Sequence, residues 1–126
     1  MILVDRSSNR SSYQAYKHAS ERISQGVGIT IFPEGGIPNH EVKLQRFKNG
    51  AFRMAIEQNV ALVPVTFGDN KICMPSDRLQ GSPGKLKVFV HKPIEAGTYT
   101  TETIHEFKDF VFKTINDKLT YYESRR

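Results

Sequence analysis

Residues 29–36 read ITIFPEGG, and the fold follows from how that stretch is taken. Ile29, Thr30, Ile31 and Phe32 favour an extended strand, and Pro33 cannot donate to a ladder. Glu34, Gly35 and Gly36 then supply a lone acid and two residues free to adopt left-handed backbone. Such an ending serves one of two purposes. It reverses the chain at a surface turn, or it delivers Glu34 and the amides behind it to a place where something binds.

Upstream of this stretch, Ile2, Leu3 and Val4 have the composition of a buried strand, ended by Asp5 and Arg6. Ser7 to Asn9 can cap a helix in which Tyr13, Tyr16, Ala19 and Ile23 share one face, and Gly26 supplies its stop. Val27 to Phe32 is the second strand, and a polar loop runs from Pro33 to Gln45. A second helix starts around Asn49, carries Ala51, Met54, Ala55 and Gln58, and ends near Asn59 before a third strand, Ala61 to Phe67. Strand and helix alternate through two βαβ crossovers, which predicts an α/β fold: a mostly parallel sheet with helices on both faces. Gly68 to Gly84 carries turn signals in Pro75, Gly81, Pro83 and Gly84, and Leu86 to Val90 reads as a further strand. The last helix is expected over Thr103 to Tyr122, with a capping box in Thr103 and Glu106 and an apolar face of Ile104, Phe107, Val111, Ile115 and Leu119.

The chain has 126 residues, 38% of them hydrophobic, which suits one domain over residues 1–126 with one core. A start inside an apolar strand is unusual for a domain, so the N-terminus is read as the interior of a larger one. Lys and Arg number 18 against 13 Asp and Glu, a net +5 that favours anionic partners: phosphorylated metabolites, acidic lipid surfaces or nucleic acid. Basic residues are scattered rather than clustered and no nucleic-acid-binding motif is present, so nucleic acid is not an expected partner. Neither G-x-G-x-x-G nor a Walker loop occurs, which argues against a nucleotide domain. Cys73 is the only cysteine, so a disulfide within the chain and a cysteine metal cluster are excluded, as suits a reducing compartment. The apolar runs, such as ALVPV at 61–65, fall far short of the roughly 20 residues of a spanning helix, and the start at Met1, followed by ILVDR, does not read as a signal peptide.

In open parallel sheets ligands lie beyond the carboxyl ends of the strands. Arg6 at the first strand end has a planar fork that can hold two phosphate oxygens, and Gly35 and Gly36 free backbone amides to turn inward. The RFKNG segment at 46–50 adds Arg46 and Lys48 beside a helix N-terminus, where unpaired N–H groups favour an anion. Together these residues make a candidate phosphate half-site. Each has a plainer reading: Asp5 and Arg6 as a surface ion pair, Glu34 as an acceptor for turn amides, Lys48 as a solvated lysine.

VDR at 4–6, IFPEGG at 31–36, FKNGA at 47–51 and VPV at 63–65, in this order and at these separations, resemble the later motif blocks of the glycerolipid acyltransferase family. The resemblance covers about residues 1–67 and implies that the chain is the C-terminal part of an acyltransferase domain. It also implies a 1-acylglycerol-3-phosphate O-acyltransferase-like activity. A fatty acyl group would pass from an acyl-coenzyme A or acyl carrier protein thioester to the hydroxyl of a lysophosphatidate-like acceptor in phospholipid biosynthesis. No metal or resident cofactor is implied. In such enzymes the His of an H-x4-D block is the general base, while Arg6 and the FPEG loop would hold the acceptor's phosphate and glycerol. Glu34 would then brace the loop. The expected location is cytoplasmic, peripheral to the inner face of a membrane, with weak attraction to an anionic lipid surface.

Two departures stand out. Many family members continue FPEG with T-R-S, whereas Gly36, Ile37 and Pro38 follow here, so Arg46 or Lys48 would have to replace a phosphate-binding arginine. None of His18, His40, His91 and His105 has an aspartate five positions later. His105 and Asp109 are one residue too close and read as a helix surface pair, and His40 reads as a solvated loop residue. No catalytic residue is therefore expected in this chain, which is read as lacking the block and as inactive alone. A non-catalytic lipid-phosphate binding module is the alternative.

Overall fold

A computed structural model describes residues 9–39, 41–75 and 80–125. The predicted first strand, Arg6 and His40 lie outside the described residues. Helix α1 spans Asn9–Ser24, α2 Gly50–Glu57, α3 Asn70–Cys73 and α4 Ile104–Ser124, and strands β1 and β2 are Val65–Gly68 and Lys87–Val90.

Both early helices end as their sequences direct. After α1, Gly26 takes φ +83°; its N–H donates to the Ile23 carbonyl at 2.9 Å, and the Val27 N–H donates to Arg22 at 3.0 Å. After α2, Asn59 takes φ 51° and repeats the pattern, with the Val60 N–H on the Ala55 carbonyl at 3.1 Å. These paired bonds are the Schellman closure, which satisfies carbonyls that the last turn orphans. The closing helix starts close to where it is expected, but its cap lies upstream. The capping box is Thr100 with Thr103, not Thr103 with Glu106: the Thr100 N–H donates to the Thr103 hydroxyl at 2.8 Å, and Thr101–Thr103 form a 3-10 turn leading into α4. Two threonines three apart satisfy each other's amides, so the cap forms one turn upstream.

The expected mostly parallel sheet is not what the described strands form. β1 and β2 pair antiparallel, Val65 opposite Val90 and Gly68 opposite Lys87. Among its described residues the segment between them holds the one-turn α3, which the sequence reading took for turns, and β2 returns antiparallel to β1 instead of crossing the sheet. The third strand is also shorter than predicted. Pro64 has no N–H to give, although its carbonyl accepts the His91 N–H at 2.9 Å. Leu62 and Ile94 then exchange both backbone bonds, at 3.0 and 2.8 Å. Between that bridge and the Val65–Val90 pair the second chain holds one residue more than the first, which makes a bulge. Residues 27–32 join no ladder among the described residues. A strand exists only through cross-strand hydrogen bonds, and the neighbour expected for this one lies outside the described residues.

Among the described residues, helices on both faces of this sheet are likewise not seen. Thr66, Phe89, Gly68 and Lys87 share the face towards α4, where a Cβ on Gly68 would lie 2.6 Å from the Tyr122 ring. The opposite face, with Phe67, Val88 and Val90, is exposed. The core lies between α2 and α4: Phe47, Phe52, Ala55, Ile104, Phe107 and Val111 are buried, with Leu62, Ile94, Tyr99 and Ile115 packed around them. Its rings meet edge-on or stacked, Phe52 against Phe107 at 5.1 Å and Tyr99 against Phe107 at 4.6 Å. This core fixes Phe47, and with it the segment that adjoins the PEGG loop.

Candidate functional site

Residues 33–34 and 45–48, at the two ends of the loop, are joined by hydrogen bonds here. The Lys48 N–H donates to the Pro33 carbonyl at 2.8 Å, and the Gln45 N–H donates to Glu34 Oε2, also at 2.8 Å. Because Phe47 between them is anchored in the core, residues 45–48 form a shelf against which residues 33–35 lie. The contact matches the plainer reading of Glu34, an acceptor for a loop amide. Its carboxylate accepts a backbone amide, a charge-assisted bond that holds the loop's shape.

Gly35 adopts φ +70°, and its own N–H donates to the Phe32 carbonyl at 3.2 Å. A Cβ there would lie 2.8 Å from Lys48 Cε and 3.0 Å from Lys48 Nζ, so the lysine lies directly against the glycine backbone. A positive group beside a left-handed glycine turn, next to the N-terminus of α2, is an arrangement that attracts an oxyanion. Gly36 follows in the exposed part of the loop. Asn49, the residue before α2, makes no side-chain cap to the helix, and its Oδ1 is buried without a hydrogen-bond partner.

Arg46 goes elsewhere. It lines an open cleft of about 370 Å³ between residues 44–47 and α4, with His105, Lys108 and Asp109 on the helix side. His105 and Asp109 both face this cleft, but among the described residues no hydrogen bond or ion pair joins them. Of the predicted site residues, then, Glu34, Gly35 and Lys48 come together, Gly36 adjoins them, and Arg46 sits in a neighbouring cleft. The sequence reading missed that cleft, although the spacing 105, 108, 109, 112 was a readable helical stripe.

A second polar feature lies under the sheet. Thr66 is fully buried, and its Oγ1 is 2.7 Å from His91 Nε2. Burial, aided by the charge of Lys118, pushes the His91 pKa below the usual imidazole value. This pair links β1 to the chain just after β2.

The sequence model of a family described as Acyltransferase matches residues 1–68. A chloroplastic 1-acyl-sn-glycerol-3-phosphate acyltransferase of Arabidopsis thaliana is 33% identical over 95 residues, which are 75% of this chain and 26% of that protein. The 1-acyl-sn-glycerol-3-phosphate acyltransferase alpha of Mus musculus is 26% identical over 113 residues, 88% of this chain and 39% of its own. Among solved structures, the 1-acyl-sn-glycerophosphate acyltransferase PlsC of Thermotoga maritima superposes with a TM-score of 0.78 at 24% identity, covering 90% of this chain and 46% of that one. The chain thus spans between about a quarter and two fifths of the length of these two curated relatives.

Proposed function

From the premise that this chain belongs to the acyltransferase family, whose sequence model covers just over half of it, we propose that it carries the acceptor-phosphate half-site of an O-acyltransferase acting on a lysophosphatidate-like acceptor. The observation that supports this most is the docking of the Pro33–Gly35 loop on the Gln45–Lys48 shelf, which sets a lysine against a left-handed glycine turn. A phosphate monoester held by Lys48 and the loop amides, with Arg6 as its main bidentate ligand, leaves its glycerol hydroxyl at a fixed distance from the site. That restriction is what acyl transfer needs, since orienting a nucleophile removes much of the entropic barrier.

The reaction joins the acceptor hydroxyl oxygen to the thioester carbonyl carbon, expels the thiol and moves the hydroxyl proton to a base. This chain supplies the holding, and no His–Asp pair at the family spacing is present in its sequence. The donor is an acyl-coenzyme A or acyl carrier protein thioester, and the setting is the surface of an anionic membrane. Among the described residues no helix is long and apolar enough to cross a membrane. The contact proposed is therefore peripheral and electrostatic, and vesicle binding that resists high salt would contradict it.

The test is titration of the 126-residue chain with glycerol 3-phosphate and a short-chain lysophosphatidate, beside a thiol-release assay with an acyl thioester. Binding without turnover is expected. Arg6→Ala should weaken acceptor binding by about a hundredfold, near 2 to 3 kcal/mol, and Lys48→Ala by about tenfold. Affinities untouched by both substitutions would defeat the half-site. Robust turnover abolished by His105→Ala would show that the base is in this chain after all. The non-catalytic reading is favoured by the missing His–Asp pair, and acyl transfer by a longer polypeptide containing this chain would eliminate it.

A further inference from the structure

The cleft against α4 combines features that the acceptor half-site does not use. His105, Lys108, Asp109 and Phe112 fall at i, i+3, i+4 and i+7, so a single stripe of α4 forms one wall, beside the stripe of Ile104, Phe107 and Val111 that enters the core. Arg46 forms the facing rim, and Leu44 and Phe47 complete the apolar floor. Successive residues of one segment therefore serve three places: Arg46 the cleft, Phe47 the core and Lys48 the glycine turn.

The charges are poised for an anion. Lys108 Nζ is held over the floor by a long contact of 3.5 Å to the Phe47 carbonyl, which leaves its other N–H groups for a ligand. Among the described residues Arg46 enters no ion pair, and the two that are formed, Lys43 with Glu123 and Lys87 with Asp69, lie elsewhere. Asp109 offsets one positive charge and can accept from a hydroxyl or amino group. The cleft, about 370 Å³ and open to solvent, is larger than a phosphate alone fills. Leu44, Phe47 and Phe112 offer the remainder an apolar surface, with the Phe47 and Phe112 rings edge-on at 5.2 Å.

We propose that this cleft is a second ligand site, distinct from the loop half-site, which binds a phosphate monoester bearing an apolar or aromatic body. The guanidinium of Arg46 takes two phosphate oxygens and Lys108 the third, while the body lies on Phe112 and Leu44. The chemistry is common to a lipid headgroup and to a soluble phosphorylated compound such as a nucleotide. The site does not depend on the acyl-transfer reading, because Lys108 and Phe112 play no part in that reading and Lys48 is not among the residues lining the cleft.

The test uses the 126-residue chain carrying Lys48→Ala, so that the loop half-site is weakened and the two sites are told apart. Three probes are titrated by calorimetry: inorganic phosphate, adenosine 3′,5′-bisphosphate and a short-chain lysophosphatidate below its micelle concentration. One of the two organic phosphates should bind at least about tenfold tighter than inorganic phosphate, and which one it is identifies a soluble or a lipid source. In that background Arg46→Ala and Lys108→Ala should each weaken the preferred probe by about tenfold or more, about 1.4 kcal/mol, whereas Lys43→Ala should not. Asp109→Asn, which removes the one negative wall charge, should tighten it severalfold. Chemical shift changes in the Lys48→Ala chain should fall on residues 105–112. Equal losses for Lys43→Ala and Arg46→Ala, no advantage of organic over inorganic phosphate, or shift changes confined to residues 33–36 would each overturn the proposal.

Discussion

Gly35 shows how a single residue carries a loop. Its φ of +70° is a conformation in which a side chain costs about 1 to 2 kcal/mol, so Gly35→Ala is strained whatever space surrounds it. The space is also taken, because the nearest atoms to a new Cβ are Cε, Cδ and Nζ of Lys48. These lie at the far end of a flexible side chain, so the steric part is relieved cheaply by moving the lysine. The backbone strain has no such outlet. Gly35→Ala should therefore lower stability by about 1 to 2 kcal/mol and also displace the ammonium from the proposed phosphate position. Urea unfolding and phosphate titration would report the two effects separately. Loss of stability with phosphate affinity unchanged would mean that Lys48 is not held by this contact. Gly35 and Lys48 were both marked from the sequence, but their contact was not, because it depends on Phe47 seating the intervening shelf in a core built much later in the chain.

Between elements, the joint that decides most is that of β1, β2 and α4, where His91 on the chain after β2 meets buried Thr66 on β1. Phe89 packs edge-on against the His91 ring at 4.8 Å, and Lys118 of α4 places its ammonium 3.8 Å from the Phe89 ring centre. Burial first, and then the nearby lysine charge, disfavour the protonated imidazole. The folded pKa is thus below the unfolded value of 6.5, and the unfolded chain binds the extra proton first. The stability linked to His91 is complete above about pH 6.5 and is lost as pH falls below it, levelling off once the folded state is protonated too. The urea midpoint should drop between neutral and mildly acidic pH, and His91→Gln should remove part of that drop. An identical pH dependence in the variant would exclude His91 as its source. Legibility followed the range of the forces involved. The α4 stripe, the Gly26 stop and the Asn59 stop were readable because local periodicity and left-handed turns set them. The antiparallel pairing of β1 with β2 was not, since it joins two strands across a segment whose residues read as turns. The bulge between Val90 and Ile94 was also hidden, because it depends on how two strands distant in sequence pair.

At the scale of the whole molecule, the sheet has a packed side and an open side. Phe67 and Val88 pair directly across the strands on the open face, as do Val65 and Val90, and Phe32 lies 6.4 Å from Phe67 between ring centres. Phe32 is 70% exposed and Val90 64%, so this is a contiguous apolar surface and not a scatter of single residues. Surfaces of this kind on isolated chains drive association by the area they withdraw from water. The opposing force is the net charge of +5, which makes copies repel one another. The two forces respond oppositely to salt. Repulsion between exposed charges reaches about 30 Å at 0.01 M ionic strength and only about 8 Å at 0.15 M, whereas apolar burial is not screened. The 126-residue chain should therefore remain mostly monomeric in dilute buffer and associate reversibly as sodium chloride is added. Replacing Val88 and Val90 with lysine, which leaves the α4 side of the sheet untouched, should abolish the association at every salt concentration. Sedimentation velocity across a salt series decides it: association that weakens with salt would identify charge pairing as its cause, and association that survives the double lysine variant would place the contact on another face.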